Sequence, residues 1–451
     1  MRKRISAFFS VLAAIVLLTV PASAASSGST LKIICADAGQ VIFTPPGSTQ
    51  YAYRYGPAIL IDGDRIDIWA SAPPLVSNGV RYGNDSIEYI RSTDGGKTWT
   101  EWKTVLYPTL NSEDQWSTCD PGAFKYGDYY YVGYTGSPEF RTNPDKEKQV
   151  NNLFIARAKN PEGPYEKWNG NGWGGDPYAI TRYSGDGVGC SMPSFTVKGD
   201  TLYMYYVDQT HPDQDWNSEG NISVSTFSLK DPNWPGNELS NKMCENKPEE
   251  VRYCPDIDKF IGFQLKGGWD YDSYVEIYES TDGVNFTKTS SFRNNFPHYA
   301  HNIGISGNNL GQLDLSIQNY IGTAYTPTGV EAWWGHWHTQ LIPLYIREEQ
   351  PSSTTSSQPS VSTDSSSQKP TTSSVGSTDG KSSETEVSEP QNSNIESTVS
   401  DDKDKDKEVN NKTEQQEETS YLWLYIVIGA VVVLAGAGTA VYFLVIKKKH
   451  V

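Results

Sequence analysis

The sequence predicts an all-β fold, a five-bladed β-propeller, from three observations. The first is the turn at residues 92–99, Ser-Thr-Asp-Gly-Gly-Lys-Thr-Trp, which follows a β-branched and aromatic run at 87–90. The second is a weaker copy of that turn at residues 280–286. The third is a loose repeat, because about four short strands recur in units of roughly 50 to 70 residues. Five such units fit between residues 30 and 348.

The turn at 92–99 contains residues that stabilise a tight connection between two strands. Asp94 is expected to fold its carboxylate onto nearby backbone amides, while Gly95 and Gly96 supply positive φ angles. Trp99 is expected to cover the hairpin. An ordinary Asp-Gly hairpin turn is the alternative, above all for the second copy, since such turns are common.

Each unit is expected to begin with a hairpin of two inner strands and to continue with an outer strand and turn. A spare strand at 31–35 is expected to close the ring against the last unit, which protects the sheet edge. Six blades remain an alternative if residues 169–183 or 236–249 hold strands. A β-sandwich is the competing fold, but it does not explain why the turns recur in a fixed order. The inner hairpins are predicted at residues 55–71, 120–135, 191–207, 251–265 and 300–325.

The two ends of the chain predict export and membrane anchoring. Residues 1–24 are expected to be a signal peptide, with a basic start, an apolar stretch and the cleavage site Ala-Ser-Ala. Residues 421–446 are apolar and long enough to span a bilayer, and lysines begin the segment 447–451 that follows. We therefore expect a single-pass protein in the cell membrane of a Gram-positive bacterium, with a short cytoplasmic tail and an extracellular, monomeric propeller at residues 30–348. Covalent wall attachment is the alternative, but no Leu-Pro-x-Thr-Gly sequence precedes the apolar segment.

Residues 349–420 are rich in Ser, Thr, Pro, Gln and charged residues, with almost no large apolar side chains. Such a segment cannot bury enough surface to offset chain entropy, which predicts a disordered stalk. Much of the formal net charge of -17 comes from the acids of this stalk, so the charge does not indicate a binding surface.

Five cysteines lie in the predicted propeller. Export permits disulfides, and Cys244 with Cys254 is a possible bridge, although the odd count leaves at least one thiol unpaired. Burial of all five as small core residues is the alternative. No metal site is expected, since no Cys-x-x-Cys spacing occurs. The chain also lacks a phosphate-binding loop, a dinucleotide fingerprint and a basic stripe, so no cofactor and no nucleic-acid partner is expected.

The segments 120–131 and 155–165 resemble five-bladed glycoside hydrolases, with family 43 and its relatives as the nearest match. The resemblance implies that three acids from different inner strands meet in a central pocket, as a general base, a pKa modulator and a general acid. Asp120 precedes Pro121 as the modulator does in that family. Gly56 before Pro57, and Met192 in the third unit, stand where the family has its other acids.

The turns at 92–99 and 280–286 resemble the Asp box, or BNR repeat, of sialidases, and residues 53–58 resemble the start of those enzymes. That resemblance implies that Arg54 binds a substrate carboxylate, for which a guanidinium fork is suited. Arg252 is the only other arginine at the start of an inner strand.

Propeller topology places the turns at 92–99 and 280–286 on the face away from the pocket, and the starts of inner strands on the pocket face. Glycoside hydrolysis needs two carboxyl groups that flank one bond. Asp120 is the first candidate, and Asp37 is a candidate base supplied by the closing strand. The alternative for Asp120 is a turn acid that caps the start of a strand. Further candidates in pocket-face loops are Glu139, Asp186 and Asp208, for which a solvated loop acid is the alternative.

Candidate substrate-binding residues lie in the same loops. Trp116, Trp216 and Trp269 are expected to stack on the apolar faces of sugars, with ordinary loop packing as the alternative. His301 and Asn302 open the fifth inner strand and are candidates for binding sugar hydroxyls, with a structural histidine or a metal ligand as alternatives. The sequence therefore predicts a cell-surface glycoside hydrolase with a glycan or polysaccharide as its partner. A non-catalytic glycan-binding propeller or adhesin is the main alternative, and an exo-sialidase is a further one.

Overall fold

A computed structural model describes residues 29–46, 52–143, 146–183, 188–210, 220–328 and 335–349. This part of the chain is all-β and contains no helix. Accordingly, no helix in those ranges has the length and hydrophobicity needed to cross a bilayer. The predicted signal peptide, stalk, membrane-spanning helix and tail lie outside the described residues.

The described ranges form strands separated by short turns and loops. In chain order the strands are β1 (Thr30–Cys35), β2 (Gln40–Phe43), β3 (Tyr55–Asp62), β4 (Arg65–Ala72), β5 (Leu75–Ser77), β6 (Val80–Tyr82), β7 (Ser86–Ser92), β8 (Lys103–Leu106), β9 (Ser117–Tyr126), β10 (Tyr129–Ser137), β11 (Phe140–Asn143), β12 (Lys146–Gln149), β13 (Asn152–Ala158), β14 (Glu166–Lys167), β15 (Gly189–Lys198), β16 (Thr201–Gln209), β17 (Asn221–Ser228), β18 (Glu238–Met243), β19 (Glu250–Cys254), β20 (Lys259–Lys266), β21 (Tyr274–Ser280), β22 (Thr287–Phe292), β23 (Ala300–Gly307), β24 (Asn319–Tyr325) and β25 (His338–Glu349).

Five antiparallel units of four strands, called sheets below, account for most of these elements, and a short parallel pairing of β23 with β3 joins the fifth to the first. From inside to outside they are β3-β4-β7-β8, β9-β10-β13-β14, β15-β16-β17-β18, β19-β20-β21-β22 and β23-β24-β25-β1. The predicted closing strand is confirmed, because β1 pairs with β25 from Thr30 opposite Glu349 to Cys35 opposite Leu344. The region 236–249 supplies β18, the outer strand of the third sheet, and 169–183 forms no named strand, so five units describe this part of the chain.

The five sheets form a ring, because their innermost strands contact one another in the cyclic order β3, β9, β15, β19, β23 and back to β3. The last contact includes a short parallel pairing of Ser306 with Ile59. Apolar clusters lie between successive sheets, and burial of this surface is the main force that holds the ring together. Trp69 of the first sheet and Val132 of the second, for example, are fully buried in one cluster. A two-layer sandwich does not fit this arrangement.

The turn at 92–99 lies at the end of the ring away from the inner-strand starts, since Gly95 N donates to the Asp64 carbonyl at 2.8 Å in the β3–β4 turn. As expected, the Asp94 carboxylate accepts from Thr98 N at 2.9 Å and from the Thr98 hydroxyl at 2.7 Å. Gly95 and Gly96 have φ angles of 72° and 86°. The turn at 280–286 has the same chemistry, because the Asp282 carboxylate accepts from the backbone amides of Val284 and Asn285 at 2.9 and 2.8 Å.

All five cysteines have free thiols and are buried. The possible Cys244–Cys254 bridge is therefore not formed, and the alternative of five core cysteines is the observed one. Burial raises the pKa of the Cys244 and Cys254 thiols to about 12, so both remain protonated at neutral pH.

Candidate active site

Four of the five inner strands carry a residue with positive φ near their start. Gly56, Asp120, Met192 and Asn302 have φ angles of 57°, 48°, 57° and 55°. A shift of strand register accompanies each of them, which turns these positions toward the middle of the ring. The family pattern of three acids at such positions is not present here, because only Asp120 is a carboxylic acid.

These strand starts and the adjoining loops line a central cavity of about 430 Å³. The lining combines carboxylates, one lysine, aromatic rings and side-chain amides, which is a suitable chemistry for a polar, ring-shaped ligand. The lining residues with such side chains are Asp85, Asp120, Glu249, Lys247, Tyr55, Trp269, His301, Asn84, Asn151, Gln209, Gln264 and Asn302.

Asp120 lies in the wall of this cavity, as the sequence predicts. Its Oδ1 accepts a hydrogen bond from Asn302 Nδ2 at 3.2 Å, and its backbone N–H donates to Ser71 Oγ at 2.7 Å. Burial, assisted by the negative charge of Asp85, raises the pKa of Asp120 to about 6, against the opposing hydrogen bonds from Cys119, Thr135 and Asn302. Asp120 therefore exchanges its proton near neutral pH.

Asp85 is a cavity carboxylate that the sequence analysis missed. It accepts hydrogen bonds from the Tyr53 hydroxyl at 2.6 Å, the Ser117 hydroxyl at 2.8 Å and Asn84 Nδ2 at 3.1 Å. Burial raises its pKa, and these three donors oppose that effect. Asp85 could have been identified from its position directly before β7, because β7 begins at the same end of the sheet as β3.

A chain of polar side chains on β9 connects the two acids. The Ser117 hydroxyl donates to Asp85, the Cys119 thiol donates to Asp120 Oδ2 at 3.4 Å, and the two β9 side chains are 3.4 Å apart. Burial holds the pKa of the Cys119 thiol well above its ordinary value, so it remains a donor. Asp85 and Asp120 are therefore linked through two β9 side chains, and the negative charge of Asp85 raises the pKa of Asp120.

Glu249 is a second acid that the sequence analysis missed. It directly precedes β19, and its Oε1 accepts a hydrogen bond from Leu265 N at 2.8 Å. Because β9 and β19 are not neighbours in the ring, Glu249 and Asp120 approach the cavity from different sides. An acid at the start of an inner strand is the signal that could have identified it.

Aromatic rings form another part of the cavity wall. Trp269 keeps 36% of its surface exposed, and its ring centroid lies 4.4 Å from that of His301 and 5.1 Å from that of the buried Trp337. His301 stacks on Trp337 at 4.3 Å, and burial lowers its pKa to about 3. The imidazole is therefore neutral above that pH and serves as a polar ring, in agreement with the predicted place of both residues in the pocket.

The two arginines do not line the cavity, which corrects the substrate-carboxylate role expected for them. Arg54 pairs with Glu88 at 2.5 Å and lies 4.6 Å from the centroid of Phe43, with 12% of its side chain exposed. Arg252 pairs with Glu250 at 2.7 Å and donates to the Ile305 carbonyl, so it joins neighbouring inner strands. In both cases a glutamate of the same chain already forms an ion pair with the guanidinium group.

Several other predicted residues also lie away from the cavity. Asp37 is exposed between β1 and β2 at the outer edge of the fifth sheet, where its Oδ1 accepts from Gly39 N at 2.6 Å. The Asp208 carboxylate accepts from Thr210 N at 3.2 Å and from the Ser223 hydroxyl at 3.1 Å. Glu139 is exposed and Trp116 is half-buried, and neither is among the lining residues. Asp186 and Trp216 lie outside the described residues.

Within the described ranges, no group of three or more His, Cys, Asp or Glu side chains is placed to hold a metal ion.

No protein-family model matches the chain, and no curated protein matches it. Among solved structures, it is similar to the α-L-arabinofuranosidase of Podospora anserina in complex with cellotriose, at 11% identity and a TM-score of 0.44, over 68% of this chain and 98% of that one. It is also similar to a family 117 glycoside hydrolase of Zobellia galactanivorans, at 15% identity and a TM-score of 0.44, over 71% and 91%. An α-L-arabinofuranosidase of Lactobacillus brevis gives 14% identity and a TM-score of 0.45, over 67% and 92%. All three structural neighbours are glycoside hydrolases, but the similarity is too low to assign a function to this chain.

Proposed function

We propose that this protein is a glycoside hydrolase that acts on a glycan or polysaccharide in the central cavity. The observation that carries the proposal is the state of Asp120, a cavity carboxyl whose pKa is raised to about 6. An acid with such a pKa is protonated often enough near neutral pH to donate a proton to a leaving oxygen.

Asp120 is the general acid in this proposal, and Asp85 is a positioning residue that raises the pKa of Asp120 through its negative charge. Glu249 is the second catalytic carboxylate, because it reaches the same cavity from a strand that does not neighbour that of Asp120. It acts as the base or the nucleophile, depending on the separation of the carboxyl groups when the substrate is bound.

The rest of the cavity supports a sugar as the ligand. The exposed part of Trp269 offers an apolar face on which a sugar ring can stack. Asn151, Gln209 and Gln264 bring donors and acceptors for hydroxyl groups. A non-catalytic glycan-binding propeller is the second candidate, since only one of the four positive-φ positions carries an acid.

Three further expectations belong to this proposal. Residues 1–24 direct export, residues 421–446 anchor the protein in the cell membrane, and the turns at 92–99 and 280–286 are Asp boxes. The hydrogen bonds from Thr98 to Asp94 and from Asn285 to Asp282 support the last of these. Protease treatment of intact cells tests the location, because an extracellular propeller would be released and a cytoplasmic one would be protected.

Hydrolysis of a panel of aryl glycosides and oligosaccharides by the full chain tests the proposed activity. Asp120→Asn and Glu249→Gln each preserve shape and remove an ionisable group, and we expect each to reduce kcat by at least about 100-fold. Asp37→Asn is the matched control, because Asp37 is exposed and remote from the cavity. Saturable oligosaccharide binding without turnover would replace the hydrolase by the glycan-binding propeller.

A further inference from the structure

A second cavity, of about 290 Å³, lies between the first and second sheets. It is formed by the ends of strands and by turns remote from the central cavity, including the β9–β10 turn at Gly127. Its charged lining residues come from two sheets. The first sheet supplies Arg65 and Arg91, and the second supplies Lys125, Asp128, Lys159 and Glu162.

Positive charge is in excess around this second cavity, although the chain as a whole has a net charge of -17. Arg65 pairs with the buried Asp67 at 2.8 Å. Arg91, Lys125 and Lys159 form no direct ion pair with any carboxylate of the described ranges. The charge of Arg91 still acts on Asp67, since it opposes the rise in pKa that burial of that carboxyl causes, and Lys125 Nζ lies 5.0 Å from the Tyr130 ring centroid.

Two guanidinium nitrogens next to this cavity are buried and unsatisfied. Arg65 Nη2 and Arg91 Nε have no hydrogen-bond acceptor among the described residues. A buried donor without an acceptor destabilises the folded protein, and the destabilisation is larger for a charged group. An anion bound in the cavity would offset the repulsion among the cations, and a small rotation of either guanidinium toward it would supply the missing acceptor.

We propose that this second cavity is an anion-binding site for a tetrahedral oxyanion, a phosphate or a sulfate group. Guanidinium groups bind such oxygens with paired hydrogen bonds, and ammonium groups add point charges. The cations come from two sheets, which suits an anion whose oxygens point in several directions. The group can be a phosphate ester or a sulfate ester carried on a polymer, and the two share this chemistry.

This site is independent of hydrolysis, because none of its lining residues belongs to the central cavity. A protein that binds no phosphate or sulfate can still be a hydrolase, and an inactive protein can still bind the anion. The experiment therefore measures binding alone.

The proposal is tested by isothermal titration calorimetry of the full chain with inorganic phosphate and, separately, with inorganic sulfate. Chloride keeps the ionic strength constant in both titrations. We expect saturable one-site binding of at least one anion, and a loss of about tenfold or more in affinity for Arg91→Gln/Lys125→Gln. Lys97→Gln is the matched control, because Lys97 is an exposed cation on the same face but does not line the cavity, and it should change the affinity less than twofold (about 0.4 kcal/mol). The anion with the higher affinity identifies the ester class.

Absence of saturable binding of both anions up to about 10 mM would overturn the proposal, as would equal affinities of the double variant and Lys97→Gln. Lys159→Gln covers the case in which the double variant does not fold, because the Lys159 side chain is exposed and its loss leaves the core intact. We expect that single variant to weaken binding by about threefold or more, and an unchanged affinity would contradict the site.

Discussion

Asn302 Nδ2 donates a hydrogen bond to Asp120 Oδ1 at 3.2 Å, although the two residues lie on inner strands that are not neighbours in the ring. The strand between them, β3, carries Gly56 at this point. A Cβ atom on Gly56 would lie 3.4 Å from Asp120 Oδ1 and 3.5 Å from Asn302 Nδ2. A side chain at position 56 would therefore contact both the acid and the amide, and glycine leaves this contact unfilled.

Gly56→Ala should lower stability and alter Asp120. Its φ of 57° costs an alanine about 1–2 kcal/mol, and the added methyl would further desolvate the Asp120 carboxyl and raise its pKa. Gly63→Ala is the matched control, since Gly63 has a φ of 61° with open space around it and does not line the cavity. Urea unfolding should show similar losses for both variants. An equal pH dependence of the two would argue against the role given to Gly56.

Two substitutions should move the pH dependence of hydrolysis in opposite directions. If Asp120 acts as the proton donor, kcat/KM should fall as the pH rises through about 6, the pKa of Asp120. Asp85→Asn removes the negative charge that raises this pKa, so the alkaline limb of the kcat/KM pH profile should move to lower pH. Asn302→Leu removes a hydrogen bond that lowers it, so the limb should move to higher pH. Shifts of the same sign would rule out Asp120 as the group that controls this limb.

Asp120→Asn should stabilise the protein at neutral pH. Below the ordinary pKa of 3.8, Asp120 is protonated in both the folded and the unfolded chain and has no effect. Between about pH 4 and 6 the unfolded chain ionises first, so wild-type stability falls, by about 3 kcal/mol in total. The variant avoids this loss. Denaturant unfolding at pH 4 and pH 7 should give a free-energy difference between variant and wild type that grows with pH, whereas Asp37→Asn should show no such growth.

Trp269→Ala should weaken sugar binding more than it affects the chemical step. Its side chain lines the cavity, keeps 36% of its surface exposed and has no ionisable group to take part in proton transfer. Loss of a stacking partner should raise KM, or the dissociation constant of an oligosaccharide, by about fivefold to tenfold with a smaller change in kcat. Trp116→Ala, in the loop before β9 but not in the cavity lining, should leave both nearly unchanged.

Much of the fold was predictable because local signals set it. Gly-Asp turns at Gly63, Gly127 and Gly199 join the two inner strands of the first three sheets and mark the same end of each. The closing strand at 31–35 was identifiable because it was left over after five units were counted, and it pairs with β25 as expected.

The site was predictable only in part, because a cavity depends on contacts between distant strands. Asp120, Trp269, His301 and Asn302 were found from their places at strand starts or in a loop on that face. Glu249 was equally visible and was overlooked. The ion pair of Arg54 with Glu88 could not be predicted from the sequence, because the two residues are distant in the chain. An arginine that binds substrate would have the same local sequence.

The most direct test of the central claim is the rate of glycoside hydrolysis at about pH 5, measured for wild type, Asp120→Asn and Asp37→Asn on the glycan that the panel identifies. The proposed mechanism predicts turnover by wild type and Asp37→Asn, and a loss of at least about 100-fold in kcat for Asp120→Asn. Equal rates for wild type and Asp120→Asn, or binding of the glycan without any turnover by wild type, would contradict it.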